Sequence, residues 1–200
     1  MVTLAHIVNP APVGEESDLY VAQPLTLATM QAARRLAQRQ DAAAVDLYAV
    51  QLSGEAEVDL PEDFTRLPAI GRSVADLREF RCRRNLPLLG DILGRLYEAS
   101  AADFLAYTNA DIAQQPHFYW TVARLADLGH DAFAINRRTI PARYRRPEDL
   151  PLMYSEIGQE HKGWDCFVFR RGLHRELDLG RACVGAGWVG RVLRANLACL

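Results

Sequence analysis

Asn109 and Asp111 stand two residues apart, where an apolar run from Phe104 to Tyr107 breaks into the polar residues Thr108, Asn109 and Asp111. Their side chains offer two oxygens to a hard cation such as Mg2+ or Mn2+. The same two residues can instead turn the chain and cap the helix that follows, and spacing alone leaves both roles open. Arg137 and Arg138 close a later apolar run, and Asp165 enters the run Trp164-Asp-Cys-Phe-Val-Phe169. Arg78, Arg81, Arg83 and Arg84 form one basic run, and Arg143, Arg145 and Arg146 another. Each reads as a solvated face with local ion pairs, or as a phosphate contact. His6 lies inside an apolar run and reads as a satisfied core histidine, whereas His130 and His161 read as solvated loop residues.

The elements that position these groups alternate between strand and helix. A first strand over residues 4–8 ends at Asn9-Pro10, and a loop with Pro12 and Gly14 follows. Pro24 opens a helix whose apolar stripe is Leu25, Ala28, Ala32, Ala33 and Leu36. Residues 45–52 form a second strand, completing a βαβ unit. Residues 54–85 are the least regular stretch, with Leu60, Phe64, Leu67 and Ile70 pinning it to the core. Leu88, Leu89, Ile92, Leu93 and Leu96 mark a helix ending near Ser100, with Asp91 and Arg95 as an outer i, i+4 pair. The strand that carries Asn109 and Asp111 comes next. Pro116 then sits in the first turn of a helix stopped by Gly129. Residues 132–136 are a strand ending in Arg137-Arg138, residues 158–163 a polar loop, residues 164–169 a strand, and residues 188–197 a last amphipathic helix.

This order implies an α/β fold with a mostly parallel central sheet flanked by helices. A short apolar strand is buried in such a sheet, and polar groups just past its carboxyl end lie where open α/β sheets bind ligands. Two hundred residues fit one domain over 1–200. The chain stops on the apolar Cys199-Leu200, which is either the domain's boundary or a cut through a longer chain. A net charge of −2 gives no reason to expect nucleic acid or an anionic membrane as partner. No stretch approaches the ~20 apolar residues of a membrane span, and the N-terminus lacks the pattern of a signal peptide. Cys82, Cys166, Cys183 and Cys199 form no C-x-x-C pair, which fits reduced thiols in a cytoplasmic protein. No G-x-G-x-x-G follows the first strand, and neither a P-loop nor a G-x-S-x-G motif is present.

Three stretches taken in order, Ala5-His-Ile-Val-Asn-Pro10, Tyr107-Thr-Asn-Ala-Asp-Ile112 and Gly163-Trp-Asp-Cys-Phe-Val-Phe169, resemble the GT-A-like glycosyltransferases, the nucleotide-diphospho-sugar transferase group. The resemblance spans most of the chain and implies a Rossmann-like GT-A architecture. It implies transfer of a sugar from a nucleotide-diphospho-sugar to an unknown acceptor. It places Asn9 at the nucleotide edge and Asn109-Ala-Asp111 at the D-x-D position that holds Mn2+ or Mg2+ on the diphosphate. Asp111 matches the second acid as metal ligand; Asn109 replaces the first carboxylate with an amide and makes this an N-x-D variant. Asp165 takes the place of the base that activates the acceptor hydroxyl. Arg137 and Arg138 would carry the diphosphate charge if the metal is weak. Trp188, set among glycines, would stack on a sugar or base ring, or pack in the core. The Asn109 departure also admits a second reading, a catalytically weak nucleotide- or saccharide-binding module of the same fold. A third, a nucleotidyltransferase, needs two or more converging carboxylates, Asp111 and Asp165 being the candidates.

Overall fold

The computed structural model describes residues 1–77 and 84–200. Of the first arginine run, Arg78, Arg81 and Arg83 lie outside the described residues, as does Cys82. Six strands form one mixed sheet: β1 (Val2–Val8), β2 (Ala43–Ala49), β3 (Phe64–Arg66), β4 (Phe104–Thr108), β5 (Ala132–Thr139) and β6 (Gln159–Arg170), in the spatial order β3-β2-β1-β4-β6-β5. β3, β2, β1 and β4 run parallel; β6 is antiparallel to both β4 and β5. Five strands therefore point one way and β6 alone runs back. The mostly parallel α/β sheet expected from the sequence is present.

Helices α1 (Asp18–Arg39) and α3 (Phe118–Asp127) cover one face, and α2 (Leu89–Ala99) and α5 (Val189–Cys199) the other. The alternation of side chains along a strand divides the core. Leu4 and Val8 of β1 pack with Met30 and Val122, whereas Ala5 and Ile7 pack with Ile92 and Leu96. Each large apolar side chain buried in this way contributes about 1.5–3 kcal/mol, so β1 and β4, buried on both sides, are the most tightly held strands. A short helix α4 (Leu150–Met153) follows a 3-10 turn at Pro147–Asp149. Among the described residues, no helix is long and apolar enough to cross a membrane.

Several local expectations are corrected. Helix α1 begins at Asp18, not at Pro24, because the Ser17 hydroxyl accepts from the Leu19 N–H and caps it. Pro24 lies inside the helix. Pro116 precedes α3 rather than opening it. Asp91 bonds Arg72, at 2.7 and 2.8 Å, and not Arg95, which reaches the Ala69 carbonyl and Glu98. The irregular stretch contains β3, which extends the sheet; Phe64, Leu67 and Ile70 are buried as expected. The polar loop expected at 158–163 is instead the first part of β6, and β5 runs on through Arg137 and Arg138 to Thr139. These two segments pair with each other, and that pairing is what builds the site.

Candidate functional site

β4 delivers Asn109 and Asp111 just beyond its carboxyl end, and β1 delivers Asn9. All three line a cleft of about 800 Å3. The amino-terminal half of β6 enters at the same end, because β6 is antiparallel to β4, with Thr108 opposite Cys166. Asp165 is the next residue out.

Asp165 owes its position to an irregularity. Ile135 of β5 pairs with Cys166 and Asn136 with Trp164, so Asp165 is an extra residue in β6. Between Asn136–Trp164 and Arg138–Glu160 the register slips again, leaving residues 161–163 opposite Arg137. Bulges re-aim side chains and leave ladder groups unpaired. The Asn136 Nδ2 donates to the His161 and Gly163 carbonyls, at 2.6 and 2.8 Å, and so holds the distorted segment together.

The groups so placed form a connected network. The Tyr107 hydroxyl donates to Asn109 Oδ1 at 2.9 Å, and Asn109 Nδ2 donates to Asp165 Oδ1 at 3.0 Å. Burial, with Asp111 and Asp165 nearby, pushes the Tyr107 phenol upward, so it stays protonated and donates. Arg137 lies between the two carboxylates, its Nε 3.2 Å from Asp165 Oδ2 and its Nη1 3.7 Å from Asp111 Oδ2. The guanidinium also hydrogen-bonds the His161 ring, its Nε donating to Nδ1 at 3.1 Å. Burial raises the Asp165 carboxyl above its ordinary value; Arg137 opposes this and Asp111 adds to it. A carboxylate moved toward neutrality is a better proton acceptor at physiological pH.

The residues present fit a divalent cation in one mode. Among the described residues no three His, Cys, Asp or Glu side chains converge on a metal site. Mg2+ carried in with substrate phosphates, however, needs only one or two carboxylates. Asp165 Oδ2 is a buried oxygen with no aligned hydrogen-bond donor, despite the nearby Arg137. Asp111, Asp165 and Glu55 are the carboxylates that line the cleft, and the first two face the Arg137 guanidinium.

Other expected site residues behave differently. Asn9 lines the cleft with its amide nitrogen held 2.7 Å from the Val50 carbonyl. Arg138 is diverted: it donates to the Ile157 and Gly158 carbonyls and does not line the cleft. Its neighbour Arg137 takes the cleft side, as the alternation of a strand requires. Trp188 does not pack in the core. It is 61% exposed with Arg191 over its ring, and Gly187 and Val189 beside it line the cleft while Trp188 itself does not. His161, expected in solvent, stands in β6 against Arg137. His6 is the buried, satisfied histidine expected, between the Tyr119 hydroxyl at 2.8 Å and the Thr108 hydroxyl at 3.0 Å. Sequence reasoning missed Tyr107 and Asn136. A phenol next to a polar strand end was a usable signal for the first; nothing in the sequence marks a bulge for the second.

No protein-family model matches the chain, and no curated protein matches it. Its backbone is similar to solved structures. One is a protein assigned as a nucleotide-diphospho-sugar transferase from Desulfovibrio desulfuricans, with 13% identity and a TM-score of 0.44 over 99% of this chain and 74% of that one. Another is 2-C-methyl-D-erythritol 4-phosphate cytidylyltransferase from Thermus thermophilus, with 18% identity and a TM-score of 0.39 over 86% and 72%. A third is 4-diphosphocytidyl-2C-methyl-D-erythritol synthase from Anaerococcus prevotii, with 9% identity and a TM-score of 0.41 over 92% and 80%. Likenesses at this level leave the activity to be read from the site itself.

Proposed function

We propose that the cleft binds a nucleotide-diphospho-sugar and transfers the sugar to an acceptor hydroxyl. The observation that carries this reading is the meeting of Asp111, Asp165 and Arg137 at the carboxyl ends of β1 and β4. In this reading Asp165 is the base that takes the acceptor's proton, and its raised affinity for a proton suits that role. Arg137 meets the negative charge that develops on the departing diphosphate. Asn9 contacts the nucleotide. Asp111 would hold a Mn2+ or Mg2+ that supplies further charge stabilisation when bound. Asn109 positions Asp165 through its amide and binds no metal. Arg138 and Trp188 have no part in the chemistry.

Thermal unfolding of the purified protein with UDP, GDP, CDP and dTDP, each with and without Mn2+, tests the reading. A ligand that binds only the folded state stabilises it by about 2.7 kcal/mol at a hundredfold excess over Kd. One nucleotide is expected to raise Tm in the wild type and not in Arg137→Ala. A shift that also needs Mn2+ and vanishes in Asp111→Ala supports the cation; a metal-independent shift assigns the diphosphate to Arg137. No shift with any nucleotide sinks the reading.

The convergence of Asp111 and Asp165 on Arg137 also favours a second reading, nucleotidyl transfer, in which the two carboxylates would hold the metal. Release of pyrophosphate from a nucleoside triphosphate that depends on an added phosphomonoester acceptor, without turnover of a sugar-nucleotide, selects it.

A further inference from the structure

A second cavity, of about 750 Å3, opens beside the first turns of α1. Leu19 faces the cleft described above, while Tyr20, Val21 and Pro24 wall the second cavity. The opposite wall is the turn between β5 and α4, with Arg143, Arg145, Arg146 and Asp149.

The charges there are not equivalent. Arg143 bonds Glu156 and the Tyr144 hydroxyl. Asp149 Oδ2 accepts from the backbone N–H groups of Arg145 and Arg146, at 3.0 and 3.2 Å, which holds its carboxyl below the usual range. Those bonds fix the turn. They leave the exposed guanidiniums of Arg145 and Arg146 on consecutive residues; among the described residues neither makes a close ion pair, and Arg146 acts on Asp149 only at longer range. Two like charges held side by side favour a compact dianion that can accept from both.

The facing wall has a different character. The Tyr20 side chain is 47% exposed, with its hydroxyl 3.5 Å from Glu15. Pro24 lacks an N–H, so the Tyr20 carbonyl loses its usual intrahelical donor. Basic and aromatic side chains thus line a single cavity. The acidic residues Glu15, Glu16 and Asp18, just before Tyr20 in the chain, disfavour an extended polyanion such as nucleic acid or an anionic bilayer.

We propose that this cavity holds the phosphate of a small phosphomonoester, with Arg145 and Arg146 on the phosphate and Tyr20 against the hydroxyl-bearing remainder. This cavity and the cleft share no lining residue, so phosphate binding here stands independently of the sugar transfer proposed above.

Calorimetric titration of the full chain with inorganic phosphate, a hexose monophosphate and the unphosphorylated hexose tests this. Both phosphates are expected to bind the wild type, the hexose monophosphate more tightly. The double variant Arg145→Ala/Arg146→Ala should weaken both at least tenfold, and Tyr20→Ala should remove only the advantage of the hexose monophosphate. Arg137→Ala should leave both unchanged. Absence of phosphate binding to the wild type, or its loss in Arg137→Ala with retention in the double variant, overturns the proposal. Sedimentation with phosphatidylserine vesicles that depends on Arg145 and Arg146, without binding of either soluble phosphate, overturns it in favour of a membrane surface. The nucleoside diphosphate shift persists in the double variant, so either proposal can fail without the other.

Discussion

Asn109 shows how one side chain can change meaning once its partners are known. As the first position of an N-x-D sequence it looks like a weakened metal ligand. In the structure its two amide ends are both engaged, accepting from Tyr107 and donating to Asp165. A carboxylate cannot make the second of these bonds. Asn109→Asp would set two carboxylates at the 3.0 Å now spanned by a hydrogen bond, and like charges so close raise one pKa strongly. The variant is expected to lose about 1–3 kcal/mol of stability in the absence of divalent cations, the cost of a buried polar group left unpaired. Added Mn2+ should restore more stability to the variant than it gives the wild type, since a further carboxylate strengthens cation binding. Urea unfolding with and without Mn2+ measures both effects. Wild-type stability in the metal-free variant would show that the donor role is wrong.

At the scale of elements, the packing of α5 on β6 controls one wall of the cleft. A Cβ on Gly190 would stand 2.3 Å from the Trp164 carbonyl oxygen, a backbone atom that cannot swing aside. Helix α5 approaches β6 this closely only because residue 190 has no side chain. Gly190→Ala must push the helix away from the strand that carries Asp165, and overpacking of this kind costs about 1–3 kcal/mol. Gly187→Ala, where a Cβ meets nothing within 4 Å, is expected to stay within about 0.5 kcal/mol of the wild type. Equal urea midpoints for the two variants would contradict the close approach. The β5–β6 pairing is the other decisive element. Its two register slips give Asp165 and Arg137 their directions, and a regular ladder would pair Asp165 with a β5 residue and lose the meeting.

For the whole molecule, a buried polar link between β1, β4 and α3 is His6, joined to Tyr119 of α3 and Thr108 of β4. Burial lowers its pKa from 6.5 to about 3. The unfolded chain therefore takes up a proton near pH 6.5, while the folded chain does not until about pH 3. This contribution to stability is complete above the unfolded pKa. It is lost as pH falls toward the folded pKa, at roughly 1.4 kcal/mol per pH unit. His6→Gln should flatten the fall in stability between those two pH values relative to the wild type. Identical slopes in urea titrations of the two proteins would mean that His6 is protonated in the folded state.

The alternation of apolar runs and helical stripes was sufficient to specify the α/β class, because burial on both faces of a parallel sheet imposes it on each segment separately. It also marked the β4 end with Asn109 and Asp111, since that boundary is a change of polarity along the chain. Local sequence did not reveal β3, the extension of β5 through Arg137, or the run of β6 through residues 159–163. Those polar segments are strands only because each has a hydrogen-bonding neighbour in the sheet. Tertiary structure alone decided that Arg137 and not Arg138 reaches the carboxylates, and that Trp188 stays exposed. It alone brought the Asn109 amide onto Asp165. The physical reason is the same in each case: which way a side chain points depends on register and bulges between strands far apart in sequence, and no residue carries that information by itself.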